Sequence, residues 1–162
     1  MGAKAEKRQR RELKFTRIDE AIAEAERLAA AERAGQLEQH GNWTLGQTLG
    51  HLGTWTNFAF DGYPEFLKAP APMRWLFRLF RNVILTRGFT AGIKIRGVPE
   101  GTVGIEKLPT DEGFEHFRAA MTRLKSSEPT LINPMFGKLS HDQWIQLNLR
   151  HAELHLSFPI PH

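Results

Sequence analysis

The chain has 162 residues, 41% of them hydrophobic and 25% charged, with a formal net charge of +4 and no cysteine. A chain of that length buries a sizeable core without staples, and its usage is that of an ordinary globular domain. The lack of cysteine excludes disulfides, thiolate metal sites, iron–sulfur clusters and a cysteine nucleophile, and fits a reducing cytoplasm, the compartment expected.

Residues 1–14 are rich in Lys and Arg but carry no apolar core of a secretory signal. They read as a frayed, solvated start, with residues 15–162 forming a single domain. Four long helices are predicted after it. The first spans about 17–34, where Ile18, Ile22, Ala25, Leu28 and Ala29 recur at helical spacing. Thr16 stands where an N-cap belongs and Gly35 where a helix stops.

The second helix spans about 45–61. Thr44 and Gln47 form a capping box in which each side chain satisfies the other residue's free backbone N–H. Leu45, Leu49, Leu52 and Ala59 line one side, widened by Trp55 and Phe58. Gly46, Gly50 and Gly53 each cost roughly 1 kcal/mol against alanine, so packing must hold this helix and a neighbour can come close. A long connection, 62–109, follows. It carries one extra helix over "MRWLFRLFRNVIL" (73–85), with its apolar residues spread widely round the axis, which suggests packing over the domain or at a dimer interface more than a membrane surface. "GIKIRGV" is too short to found a sheet.

The third helix spans about 111–126, with Phe114, Phe117, Met121 and Leu124 inward. The fourth spans about 141–157, opened by a second capping box of Ser140 and Gln143 and closed by Pro159 and Pro161. The fold class is therefore all-α. No apolar run approaches the roughly 18–20 residues of a membrane span, so stable membrane insertion is not expected. The basic residues come without a nucleic-acid recognition motif, so no nucleic-acid partner is expected.

Chemistry concentrates in "LRHAELHLSF" (149–158). His151 and His155 are four apart, about 40° and 6 Å from each other, so both rings reach one point beside the helix. Neutral imidazole suits zinc, nickel, copper or iron. A zinc-protease reading fails, because Glu153 lies about 200° round the helix from His151. His51, set among Leu49, Leu52 and Trp55, is the third ligand candidate by burial. His40 and His116 are expected in solvent, and His141 is about 15 Å along the axis from His151.

The layout "NWTLGQTLGHLGTWTNFAFDGYP" (42–64), followed by "NPMFGKLSHDQWIQLNLRHAELHLSF" (133–158), resembles the DinB-like (YfiT-like) superfamily of metal-binding four-helix bundles, in a branch of unknown function. The likeness runs from Phe15 to Phe158. It implies a four-helix bundle with a long connection between the second and third helices. It also implies a divalent metal (zinc, nickel or iron) held by one histidine of the second helix and two of the fourth, at His51, His151 and His155. Members of the branch often carry a histidine where Asn133 stands, another at Leu154 and glutamine at Ser157, so local substrate contacts differ here. Relatives use the open metal position to activate a low-molecular-weight thiol and transfer it to a small electrophile. The reading is thus a metal-dependent S-transferase with a small-molecule substrate. The alternatives are a small-molecule hydrolase and a non-catalytic, stress-associated metal- or ligand-binding bundle. No protein nucleophile is identified. Asn148, Trp144 and Trp55 would contact substrate; the arginines of 74–96 flank an amphipathic helix and face water, or else receive thiol carboxylates. A homodimer is compatible with the apolar residues of 73–85.

Overall fold

The computed structural model describes residues 10–95 and 98–162. The chain is all-α, with helices α1 (Ile18–Arg33), α2 (Leu45–Asp61), α3 (Ala71–Leu79), α4 (Arg81–Arg87), α5 (Thr110–Ser126) and α6 (His141–Leu156). One small antiparallel ribbon supplements them. Strand β1 (Leu37–Gln39) pairs with β2 (Pro159–Pro161), Leu37 opposite Pro161.

Both capping boxes form. Thr44 N donates to Gln47 Oε1 at 3.0 Å and Gln47 N to Thr44 Oγ1 at 3.2 Å. Ser140 and Gln143 repeat the exchange at 3.0 and 3.2 Å. The start of α1 differs from expectation. Glu20 reaches back to accept from the backbone N–H of Thr16 (2.7 Å) and Arg17 (3.2 Å), and the Thr16 hydroxyl donates to the same carboxylate. Arg17, not Thr16, therefore stands at the N-cap, and an ionised acceptor in the first turn suits the helix dipole.

Helix α2 lies centrally, against α1, α5 and α6. Leu45, Leu49 and Leu52 meet Phe117, Met121 and Leu124 of α5, Leu28 of α1, and Trp144, Leu149 and Leu156 of α6 in one core. The closest approach is α2 to α5. A Cβ on Gly46 would lie 2.1 Å from the Leu108 carbonyl oxygen, and one on Gly113 would lie 2.4 Å from the Gly46 carbonyl oxygen. Two backbones in direct contact offset the helix propensity that glycine gives up.

Helix α6 anchors the N-terminal segment of the described residues. Arg150 and Glu153 form a buried ion pair at 2.7 Å. Glu153 accepts from the Phe15 N–H, and Arg150 donates to the Phe15 carbonyl. Arg11 donates to the carbonyls of Leu156 and Pro159 and pairs with Glu24 at 2.6 Å. The frayed reading of 1–14 therefore fails for residues 10–14, because Arg11 satisfies carbonyls that the end of α6 leaves free. Residues 1–9 lie outside the described residues.

Two further expectations are corrected. The extra helix of 73–85 is broken at Phe80 into α3 and α4, and much of its apolar surface faces outward instead of over the core. His116 is half-buried, seated on Gly53 and hydrogen-bonded to Thr54 at 3.3 Å, because the missing Cβ leaves room for its ring.

Gly46→Ala is expected to lower the unfolding free energy by about 1–3 kcal/mol, since the new methyl meets backbone that cannot give. A urea midpoint unchanged by the substitution would contradict the close α2–α5 contact.

Candidate metal centre

Helix α2 carries His51 on its buried face, two residues past Leu49. Helix α6 presents His151 and His155 one turn apart, and the two helices pack together. The three rings meet as a near-equilateral triangle. Centroids are 5.1 Å apart for His51 and His151, 4.8 Å for His51 and His155, and 4.8 Å for His151 and His155. One ring nitrogen from each lies within 4.8 Å of the other two. His51 is buried, whereas His151 and His155 keep an accessible edge.

The protonation pattern follows from one hydrogen bond. His51 Nδ1 is 2.8 Å from the Val103 carbonyl oxygen. A carbonyl only accepts, so the proton of the neutral ring sits on Nδ1 and the Nε2 lone pair is free. That Nε2 faces His151 Nε2 at 3.2 Å. Two nitrogens bound to one tetrahedral zinc at 2.0–2.1 Å would stand about 3.3 Å apart. The residues present thus fit a divalent transition cation: three imidazoles, one with its outer nitrogen anchored as metal-ligating histidines usually are.

All three rings are held neutral. Burial pushes His51 down to about 4, partly opposed by its bond to Val103. Burial and then repulsion from His51 push His155 down to about 3. His151 lies well below the ordinary histidine value, through burial first and then repulsion from His155 and His51. At neutral pH the site therefore offers lone pairs, with no imidazolium proton to displace first.

Of the residues expected to contact substrate, only Trp55 stands at the triangle. Its ring centroid is 5.9 Å from those of both His51 and His151, and its Nε1–H shares the Val103 carbonyl at 3.2 Å. Trp144 is 1% exposed and belongs to the core. Asn148 is buried, with Oδ1 accepting from Thr56 (2.8 Å) and Nδ2 donating to the Trp144 carbonyl (2.9 Å), so its amide is committed inside the core. Arg74 and Arg78 line a surface cleft with Tyr63 and Asn133 that none of the three histidines lines, and Arg96 lies outside the described residues. Among the other histidines, His141 donates to the Leu124 carbonyl at 2.6 Å, supporting the last turn of α5.

Three site residues escape sequence reading. Trp43 stacks on His155, with centroids 5.2 Å and planes 17° apart, and tilts against His51 at 4.9 Å. Phe89 stands edge-on to His151 at 6.0 Å. Val103 contributes only its carbonyl. Trp43, directly before the N-cap of α2 and two turns from His51, had a usable signal; Phe89 and Val103, in irregular backbone, had none.

The depressed values fix a sign for pH dependence. Unfolded histidine titrates near 6.5, and folded His51 and His155 near 4 and 3. Between those values the unfolded chain binds protons that the folded chain refuses, so acid favours unfolding. The metal-free protein should lose stability as pH falls from about 6.5 to about 4 and show no such slope above pH 7. Urea midpoints across that range check this, and His51→Leu should flatten the slope. A wild-type midpoint constant through the window would contradict a neutral cluster.

Residues 7–162 match a family described as a protein of unknown function, DUF1569. No curated protein and no solved structure matches the chain. With nearly the whole sequence matched, histidine triangle included, the chain belongs to the DUF1569 family.

Proposed function

We propose that the chain is a divalent-metal-dependent enzyme on a DinB-like four-helix bundle, with His51, His151 and His155 as ligands. Its reaction would join a low-molecular-weight thiol to a small electrophile. The observation that carries the reading is the triangle of neutral imidazoles, with His51 Nδ1 tied to Val103. Its nitrogen-only donor set suits zinc, nickel or iron. When bound, the metal would supply an open position at which a water or thiol loses its proton near neutral pH.

The chain's own residues account for the rest. Val103 fixes the tautomer of His51 and so aims its lone pair. Trp43 and Trp55 wall the site with flat apolar surface, which suits an uncharged organic electrophile and excludes water. The accessible edges of His151 and His155 leave a way in. Glu153 is committed to Arg150 and Phe15, on the opposite side of α6 from His151, and has no part in the chemistry.

Elemental analysis provides the test. Protein purified without chelator should hold roughly one divalent transition metal per chain, and His51→Ala, His151→Ala and His155→Ala should each lower that content at least tenfold in affinity. Full retention in all three variants would reject the site. A panel of thiols against electrophiles, with and without metal, should then show metal-dependent conjugation. Metal-dependent hydrolysis, or stabilisation by metal without turnover, would replace transfer with one of the other two functions.

A further inference from the structure

An ordinary surface helix turns its apolar stripe to the core and its charges to water. Helix α3 does this only in part. Phe77 packs on Phe136, ring centroids 5.6 Å apart, and so marks the inward side. Trp75 and Leu79 each stand two residues from Phe77, about 200° round the helix. They point away from the core and are 66% and 61% exposed. Leu76 and Phe80, and Val83 of α4, are exposed as well.

The charge around this face has one sign. No Asp or Glu occurs between Glu65 and Glu100, while Arg74, Arg78, Arg81, Arg87 and Lys94 all fall there. Arg74 and Arg78 stand one turn apart on the flank of α3, and among the described residues neither pairs with an acidic side chain. Trp75 and Leu79 line neither of the neighbouring clefts.

We propose that the outward face of α3 and α4 docks peripherally on an anionic lipid surface. Trp75, Leu79 and Leu76 enter the boundary between headgroups and acyl chains, and the flanking arginines meet headgroup phosphates and carboxylates. Nine-residue α3 is about 14 Å long and lies in that boundary plane. No helix of the described residues is long and apolar enough to cross a membrane. Charge complementarity selects lipid over a second copy of the chain: a two-fold contact through this face would set one acid-free, arginine-rich segment against its own copy.

Co-sedimentation of the full chain with vesicles tests this. One set is pure phosphatidylcholine and the other contains one quarter phosphatidylserine. The protein should pellet with the anionic set only, and release as salt rises from roughly 0.1 to 0.5 M. Arg74→Glu with Arg78→Glu should weaken partitioning about 30-fold or more. Trp75→Ser with Leu79→Ser should abolish it while leaving the far-ultraviolet circular dichroism unchanged. Equal pelleting with both vesicle sets, or with neither, would overturn the proposal. So would sedimentation showing a dimer that the Trp75 and Leu79 changes dissociate while wild type ignores vesicles. Polyglutamate binding that survives the loss of Trp75 and Leu79, without vesicle binding, would assign the face to an acidic polypeptide instead.

Discussion

Three imidazoles converge where α2 meets α6, one buried and two partly open to solvent, and that convergence is the constraint around which the rest of this structure is arranged. One nitrogen of His51 is satisfied by the Val103 carbonyl, and its other faces His151 at 3.2 Å. In the metal-free chain a single proton on His151 Nε2 can bridge that pair. Three neutral lone pairs together suit a cation, whereas protonation is opposed by burial and by the neighbouring rings. The site is therefore better suited to a metal than to a proton.

The scaffold serves that convergence. Gly46 and Gly113 let α2 and α5 meet backbone to backbone, which holds α2 centrally with His51 toward α6. On α6 two faces have different tasks. His151 and His155 look toward α2, while Arg150 and Glu153 hold the backbone of Phe15 from the other side. A buried ion pair is weak evidence of stability in itself, but here both charges are used on the backbone of one residue, Phe15. That contact fixes how the N-terminal segment crosses α6, and Arg11 and the β1–β2 ribbon close the same end.

Much of this was legible from local pattern. The capping boxes at Thr44 and Ser140 fixed where α2 and α6 begin, because reciprocal side-chain and backbone bonds need nothing beyond four residues. The His151–His155 spacing declared a shared direction for the same reason. His51 was legible from its leucine neighbours as buried, and as a ligand only through family resemblance. Trp144 and Asn148 lie in the core although they share the stripe of the histidines, because periodicity cannot divide a helix face into core and site along its length. Val103 and Phe89 come from irregular backbone whose course depends on packing, and Val103 acts through a carbonyl that every residue has. The outward apolar face of α3 was also hidden, since a pattern names a stripe without saying whether protein or something else covers it.

X-ray absorption at the zinc edge of the zinc-loaded protein addresses the central claim directly. Convergence of His51, His151 and His155 on one ion predicts a first shell with three imidazole nitrogens at about 2.0–2.1 Å and at least one further light ligand. A shell of oxygen alone, or one with a single imidazole, would contradict it.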